Sequence, residues 1–423
     1  MATTFLHAAD IHLDSPLRGL ERYENAPIDR IRGATRKSLI RLVDLAIEQK
    51  VDFVLISGDL YDGDWPCYNA GLFLIAELRR LRDAKIPVAI IAGNHDAANK
   101  MTRTLSLPEN VHLLRSDRSE TKILDDLGVA IHGQSFAKSA VLENLAEAYP
   151  LPERGLINIG LLHTALAGAD GHEPYAPCSI DDLRGKGYDY WALGHIHTRH
   201  SPCLDPLVVF PGNTQGRHIR ETGEKGCLIV SLETNGGAES TFHRLDSVRW
   251  ERVRVDARDL TTESDLLEAV TSRLDDLLAL DPDPERLLAA RVEIHGGSSL
   301  HDRLHAENER YINEVRSLAL DRGQGRLWVE KVVVQTKPSR TIFLPDGPID
   351  EIQQIIASLR GDPEALKELA SDLNELKRKL PSEFLQAPES PRLDDPSWLE
   401  TLLDQVEPVL YELILSPERS TAS

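Results

Sequence analysis

The sequence predicts an α/β fold followed by a smaller mixed module and a helical tail, and three observations support this prediction. Short apolar strands alternate with helical stretches from residue 4 to about residue 235, which is the pattern of helices packed on sheets. A second strand-and-helix run follows to about residue 340. Beyond it, apolar side chains recur at helical spacing.

The length of 423 residues favours two or three domains, because a single core stops growing at about 250–300 residues. The chain is 41% apolar and 27% charged, as in ordinary globular proteins. We expect one domain at 1–245, a second domain at 246–340, and a helical, acidic C-terminal region at 341–423.

The predicted strands of the first domain are short apolar runs, most of which end in a polar cluster. They are Phe5–Ala9, Phe53–Ser57, Val88–Ala92, Val129–His132, Ile157–His163, Tyr190–Leu193, Leu207–Phe210 and Cys227–Leu232. Ligands of α/β proteins collect where the carboxyl ends of strands meet in one crevice. The polar clusters are therefore the candidate site.

The second module is predicted as βαβαβ. Its elements are a strand at Trp250–Val255, a helix at Ser264–Leu280, a strand at Ala290–Ile294, a helix at Leu300–Leu320 and a strand at Leu327–Val334.

The tail is predicted to hold two amphipathic segments. Asp362 is a candidate N-cap before Pro363 at the first helical position. An apolar stripe then follows at Leu366, Leu369, Leu373, Leu376 and Leu380, and a second apolar segment runs from Trp398 to Ile414.

The net charge of −20 opposes long-range attraction to the phosphates of DNA. Residues 341–423 carry 17 acidic and 7 basic side chains, so half of that excess lies in the tail. Local basic groups near a site in the first 340 residues can still bind phosphate.

The N-terminus has no basic segment before an apolar stretch, and no run reaches the roughly 18 apolar residues of a membrane span. We therefore expect a cytoplasmic protein without a membrane partner. Cys67, Cys178, Cys203 and Cys227 form no C-x-x-C pair, which predicts reduced thiols rather than a zinc knuckle or a disulfide framework.

Six clusters rich in Asp, His and Asn follow or end the predicted strands. They are Asp10-Ile11-His12, Gly58-Asp59, Gly93-Asn94-His95-Asp96, His163, Gly194-His195-Ile196-His197 and Gly212-Asn213. A lone histidine beside a strand is more often a hydrogen-bonded structural residue than a ligand. Carboxylates, an amide and imidazoles recurring at successive strand ends instead indicate a site for intermediate divalent metals such as Mn²⁺, Fe²⁺ or Zn²⁺.

The order D-x-H, G-D, G-N-H-D, H, G-H-x-H resembles the signature of the calcineurin-like metallophosphoesterases. Within that superfamily, His7-Ala8-Ala9-Asp10-Ile11-His12-Leu13 and Ala92-Gly93-Asn94-His95-Asp96 resemble the SbcD-type DNA repair exonucleases. The runs Leu13–Leu17 and Pro211–His218 are similar to the YhaO branch. The resemblance implies a four-layer metallophosphoesterase sandwich, with the catalytic domain at 1–245 and a capping domain that orients the substrate at 246–340.

The resemblance also implies roles for individual residues around two divalent cations, with Mn²⁺ first and Fe²⁺ or Zn²⁺ as alternatives. Asp10, His12, Asp59 and His197 would hold one cation, and Asp59 would bridge to a second held by Asn94, His163 and His195. His95 would stabilise the transition state or protonate the leaving oxygen. Asp96 is a candidate catalytic partner that fixes an imidazole, with a structural hydrogen bond as the alternative.

Three further residues, Arg217, His218 and Arg220, are candidates for substrate binding because a guanidinium there could clamp a phosphate oxygen. The alternative is a solvated loop. The chain departs from the archaeal nucleases at Asp62, where those relatives carry a second functional histidine three residues after the bridging Asp, so steps assigned to that histidine do not transfer.

The leading functional hypothesis is a metal-dependent DNA exonuclease or endonuclease that acts in double-strand-break repair or end processing. A phosphodiesterase or phosphatase acting on a nucleotide or other small phosphoester is the alternative, because the same site serves both. A third hypothesis is a non-catalytic scaffold, although every predicted ligand position holds a competent residue.

The family resemblance further implies a coiled-coil ATPase partner of the SMC kind, bound through residues 341–423, and a candidate homodimer. An amphipathic helix can dock in a partner's groove, but it can equally pack on its own chain.

Overall fold

The computed structural model describes residues 2–17, 26–62, 69–97, 106–166, 175–233, 237–339, 348–360 and 362–369, and thereafter residues 379, 395, 398–399, 402–403, 406–407 and 410. The chain separates into two units: residues 1–251 with 283–289, and residues 252–282 with 290–423.

The first unit contains two six-stranded sheets. Sheet one has the order β12-β11-β1-β2-β3-β4, and sheet two has the order β5-β6-β7-β8-β10-β9. The strands are β1 Ala2–Ala8, β2 Phe53–Ser57, β3 Val88–Ile91, β4 Val111–Leu113, β5 Glu120–Leu124, β6 Val129–Gly133, β7 Ile157–His163, β8 Tyr190–Gly194, β9 His200–Leu204, β10 Leu207–Phe210, β11 Gly226–Glu233 and β12 Ala238–Arg244.

Parallel pairing brings the polar strand ends together. In sheet one, β1 pairs with β2 and β2 with β3 in parallel, so the loops after Ala8, Ser57 and Ile91 leave at the same edge. In sheet two, β7 and β8 are parallel, with His163 opposite Gly194. The predicted clusters therefore follow neighbouring strand ends in both sheets.

The helices of the first unit are short or amphipathic. They are α1 Ile28–Arg32, α2 Ala34–Glu48, α3 Asn69–Asp83, α4 Asn94–Ala97 and α5 Ile180–Arg184, with 3-10 turns at Asp125–Leu127 and Leu145–Ala148.

The largest apolar clusters of the first unit, among the described residues, lie on both faces of each sheet. One core joins helices α2 and α3 to sheet one through residues such as Leu42 and Ile56. A second lies between the two sheets and contains Phe5, Phe53 and Tyr190. Phe5 stacks on Phe53 at 4.9 Å between ring centroids. The third packs α5 and its neighbours on the other face of sheet two around Trp191. The layers run helix, sheet, sheet, helix, which is the predicted four-layer sandwich.

All eight predicted strands of this unit exist, and three have the predicted bounds. Four strands were missed, namely β4, β5, β9 and β12. Apart from Cys203, their side chains are half-buried or exposed, and β4 has only 3 residues, so these strands show little apolar pattern. Pairing with a neighbouring strand, as β5 pairs with β6, holds them in place.

The second unit is built on the three-stranded sheet β13-β14-β15. The strands are β13 Val248–Asp256, β14 Leu287–Ser298 and β15 Leu327–Pro338, and the helices are α6 Glu263–Leu280, α7 His301–Ala306 and α8 Asn308–Gly323.

The predicted single helix Leu300–Leu320 is wrong, because Glu307 leaves the helical region at φ −104° and ψ 29° and separates α7 from α8. The module is therefore βαβααβ rather than βαβαβ. The apolar pattern could not reveal the break, since Leu304, Tyr311 and Val315 are buried on both sides of it.

The tail contains α9 Pro348–Arg360 and α10 Pro363–Leu369. Asp362 caps α10 as predicted, because its Oδ1 accepts from the backbone N–H of Glu364 at 3.0 Å and of Ala365 at 3.1 Å. Leu366 packs with Leu399 and Leu403. Leu373, Leu376 and Leu380 lie outside the described residues.

Within the described part of the chain, no helix has the length and apolar character that crossing a bilayer requires. Cys178, Cys203 and Cys227 are buried free thiols, and Cys67 lies outside the described residues.

Candidate metal centre

The loops that leave β1 and β2 place two carboxylates and an imidazole in strained backbone conformations. Asp10, His12 and Asp59 have φ values of 50°, 45° and 50°, in the left-handed region that residues other than glycine rarely adopt. His195, after β8, has a φ of 102°. Such strain persists only where the surroundings enforce it, and it is typical of ligand-binding positions.

The loops are held by hydrogen bonds that cross between strand ends. The backbone N–H of Asp10 donates to Gly58 O at 3.1 Å, and that of His12 donates to Asp59 O at 3.0 Å. The His195 N–H donates to both Asp10 oxygens at 3.1 Å. These bonds join the ends of β1, β2 and β8 into one site.

One half of the site is formed around His163. Its Nδ1 donates to the Ser57 carbonyl at 2.9 Å, so the Nε2 lone pair faces the opposite way. That lone pair meets Asn94 Oδ1 at 2.9 Å and Asp59 Oδ2 at 3.4 Å. His163 Nε2, Asn94 Oδ1 and Asp59 Oδ2 are thus three acceptor atoms that face one another. Because acceptors repel one another, this arrangement requires a positive charge between them.

The other half is formed by His12 and His197. His197 Nδ1 donates to Glu221 Oε1 at 2.8 Å, which leaves its Nε2 lone pair facing His12 Nε2 at 3.2 Å. The Nδ1 atom of His12 is buried without a hydrogen-bond partner in the described part of the chain. The ligand atoms of Asp10, His12 and His197 lie within 4.8 Å of one another, as do those of Asp10, Asp59 and His163.

The electrostatics of the site favour positive charge. Burial raises the pKa of Asp59, but the imidazoles of His163 and His12 outweigh burial and hold that pKa below its ordinary value. Burial alone would lower the pKa of His163, yet the charge and hydrogen bond of Asp59 raise it to about 9. The oxygens and neutral imidazole nitrogens of the site fit divalent metal ions as ligands. A bound metal ion would take the place of the proton that the raised pKa of His163 places on its imidazole.

The structure brings all seven predicted ligands into this site. The His195 ring lies 5.2 Å from the His163 ring and 5.7 Å from the ring of Tyr175.

His95 lies at the mouth of the site with its side chain 39% exposed. Its Nδ1 is 2.8 Å from Asp62 Oδ1, and its ring lies 4.9 Å from that of His12. The bond to Asp62 raises the pKa of His95 above its ordinary value. Asp62, noted in the sequence only as a departure from the archaeal nucleases, is thus the partner of the candidate proton donor.

Asp96 lies behind the site. Its oxygens accept from the backbone N–H groups of Leu60 at 3.1 Å, Tyr61 at 3.0 Å and Gly93 at 3.0 Å. These bonds tie the loop after β2 to the loop after β3, which fits the structural alternative rather than contact with an imidazole.

The three candidates for substrate binding differ in exposure and in their contacts. Arg217 lies in the site with its side chain 13% exposed, where it binds Asp62 and Glu221. His218 is 48% exposed, with Nε2 3.8 Å from Glu221 Oε1, and Arg220 is exposed. Sequence reasoning missed Glu221, which accepts hydrogen bonds from both His197 and Arg217.

Comparisons with known proteins agree with this geometry. A family model described as calcineurin-like phosphoesterase matches residues 3–199, and one described as the middle domain of metallophosphoesterase YhaO matches residues 250–337. The uncharacterized metallophosphoesterase YhaO of Bacillus subtilis (strain 168) is 41% identical over 278 residues, which cover 64% of this chain and 68% of that protein. The chain belongs to the calcineurin-like metallophosphoesterases.

This metallophosphoesterase is also similar to the DNA double-strand break repair protein Mre11 of Sulfurisphaera tokodaii, at 32% identity over 209 residues. That match covers 48% of this chain and spans about half of the archaeal protein, 51%. A dimetal phosphatase from Danio rerio (LOC 393393) covers 57% of this chain at 10% identity with a TM-score of 0.35, which is a weak likeness. The predicted superfamily and its YhaO-like branch are confirmed, and the protein is a metallophosphoesterase with a candidate dimetal site.

Proposed function

We propose that this metallophosphoesterase is a two-metal nuclease that hydrolyses phosphodiester bonds of DNA. The observation that carries the proposal is the convergence of six oxygen- and nitrogen-bearing side chains whose acceptor atoms face one another, with the ring of His195 5.2 Å from that of His163. Asp10, His12, Asp59 and His197 would hold one cation. Asn94, His163 and His195 would hold the other, with Asp59 shared between them.

Two divalent cations, with Mn²⁺ first and Fe²⁺ or Zn²⁺ as alternatives, would neutralise the phosphodiester's oxygens and act as Lewis acids. The chain's own residues supply the remaining steps. His95, bonded to Asp62 through Nδ1, presents Nε2 as the donor of a proton to the leaving oxygen. The buried carboxylates of Asp10 and Asp59 orient the ligand set, since their oxygens accept from the backbone N–H of His195 and of His95.

The choice of DNA over a small phosphoester is supported by the archaeal relatives, which are named DNA double-strand break repair proteins. Two observations favour the small phosphoester instead. The net charge is −20, and the guanidinium of Arg217 is already bound by two carboxylates. Both leave DNA binding dependent on other groups, such as a capping domain at 246–340 or an ATPase partner.

The docking of a coiled-coil ATPase through residues 341–423 is a further proposal, and homodimerisation is another. Packing of Leu366 on Leu399 and Leu403 supports the alternative that these segments pack on their own chain. Docking on an ATPase and packing on the chain itself can be separated by co-purification. The full-length protein and a Leu366→Asp variant are each tested for binding to a candidate ATPase.

The test of the proposed function is an assay of the full-length protein with Mn²⁺ on three substrates: labelled linear duplex DNA, single-stranded DNA and a chromogenic phosphodiester. Asp59→Ala serves as the inactive control. Cleavage of DNA that Asp59→Ala abolishes supports the nuclease. Activity on the small ester alone favours the alternative substrate, and inactivity on all three favours a scaffold.

A further inference from the structure

Two carboxylates in the site each hold an imidazole by its Nδ1 atom. Glu221 Oε1 lies 2.8 Å from Nδ1 of His197, and Asp62 Oδ1 lies 2.8 Å from Nδ1 of His95. A carboxylate bonded to one ring nitrogen fixes the ring's tautomer and aims its other nitrogen. His197 Nε2 is thereby aimed at His12 Nε2, 3.2 Å away.

One guanidinium joins these two carboxylates. Arg217 Nη1 donates to Asp62 Oδ2 at 3.2 Å, and Nη2 donates to Glu221 Oε1 at 2.8 Å. The side chains of Glu221, Arg217 and Asp62 are 7%, 13% and 18% exposed, so solvent screens these bonds far less than those of a surface ion pair.

The remaining oxygens of both carboxylates are also bound. Glu221 Oε2 accepts from the backbone N–H of Arg217 at 2.8 Å and from Asn213 Nδ2 at 3.0 Å. Asp62 Oδ2 accepts from the Ser15 hydroxyl at 2.5 Å. Neither carboxylate is therefore free to turn away from its imidazole.

We propose that Glu221, Arg217 and Asp62 form one hydrogen-bonded chain that positions two imidazoles at once, His197 on the metal-binding side and His95 at the mouth of the site. Arg217 is then a positioning residue rather than a clamp for substrate phosphate. A planar guanidinium donates from both edges in a fixed geometry, whereas an ammonium is a single point charge. This inference rests on the proposed two-metal phosphoesterase function and assigns roles within it.

The two branches of the chain have separable effects. Glu221→Gln removes the charge that orients His197, so Mn²⁺ affinity should fall about 10- to 100-fold. Asp62→Asn releases His95, so kcat should fall about 10- to 100-fold. Mn²⁺ affinity should fall less than in Glu221→Gln, because Asp62 Oδ1 lies 3.8 Å from Nδ1 of the candidate ligand His12 without a hydrogen bond to it. Arg217→Gln should lower both quantities, and Arg217→Lys should restore only part of the loss.

The experiment measures Mn²⁺ binding to chelator-treated full-length protein by calorimetry, and kcat and KM on a chromogenic phosphodiester at saturating Mn²⁺. Thermal unfolding confirms that each variant folds. Arg184→Gln and Glu239→Gln are the matched controls, because both side chains are exposed and lie on other elements. Both controls should retain the wild-type values.

A double-mutant cycle tests the link itself. At an Mn²⁺ concentration near the wild-type Kd, the effects of Glu221→Gln and Asp62→Asn on kcat/KM should be non-additive in the wild type, because both carboxylates bind one guanidinium, and additive in an Arg217→Gln background. Additivity in both backgrounds would overturn the proposal. So would a higher KM in Arg217→Gln with kcat and Mn²⁺ affinity intact, since a phosphate clamp predicts that result.

The metal-dependent activity and the hydrogen-bonded chain can be refuted separately. If the wild type is inactive but Glu221→Gln still lowers Mn²⁺ affinity, the proposed function is refuted and the role of Glu221 in positioning His197 is retained. An active wild type with an unaltered Arg217→Gln variant removes the hydrogen-bonded chain alone.

Discussion

Replacement of Gly93 by alanine is the sharpest steric test of the site. A Cβ built on Gly93 would collide with Asp59 Oδ1 and would lie 2.8 Å from His163 Cε1 and 2.9 Å from the Asp59 backbone N. Ordinary carbon contacts begin near about 3.5 Å, so even the two longer distances are short by about 0.6 Å. Neither neighbour can give way freely, because both are buried and His163 is bonded to Ser57 O.

The displacement falls on the two residues that face each other across one half of the site. Metal ligands hold their distances to about 0.2 Å, so a shift of about 0.6 Å should lower Mn²⁺ affinity at least about tenfold. Overpacking should also lower the free energy of unfolding by about 1–3 kcal/mol. Calorimetric titration with Mn²⁺ and urea denaturation measure the two effects.

Gly297→Ala is the matched control, because a Cβ there would lie 3.8 Å from Pro338 O, at ordinary contact distance. It should retain the wild-type Mn²⁺ affinity. If Gly93→Ala bound Mn²⁺ as tightly as the wild type, the tight packing of Gly93 against Asp59 and His163 would have no role in metal binding, and the reasoning would be refuted.

Three other predictions concern metal, proton transfer and stability. Mn²⁺ at about 100 times its Kd should raise the free energy of unfolding by about 2.7 kcal/mol over the chelated protein in thermal melts. Asp59→Asn should remove most of that rise. Equal stabilisation of the wild type and Asp59→Asn by Mn²⁺ would contradict the proposed metal site. His95→Asn should lower kcat by about 10²- to 10⁴-fold with Mn²⁺ affinity unchanged, and a parallel loss of affinity would instead make His95 part of the ligand set. Asp96→Asn should lower the free energy of unfolding by about 1–3 kcal/mol, because its amide cannot accept all three backbone N–H bonds; an unchanged urea midpoint would count against its structural role.

The extent to which sequence predicts this fold depends on burial. Phe53–Ser57 and Ile157–His163 have the predicted bounds, because every residue in them is buried and most of their side chains are apolar. Strand β12 was missed, because its side chains are half-buried or exposed and it is held by pairing with β11. The local pattern of apolar residues indicates which side chains are buried. Strand pairing depends instead on the neighbouring strand, which the local pattern does not include.

The candidate site was likewise predictable from the sequence only in part. The sequence by itself determined which side chains can bind a cation, because Asp, Asn and His at successive strand ends carry the required oxygens and nitrogens. Only the tertiary structure decided that Arg217 reaches Asp62, 155 positions away, and that Asp96 bonds backbone rather than imidazole. The physical reason is that donor chemistry belongs to a residue, whereas a hydrogen bond depends on distances and directions that the whole chain sets when it folds.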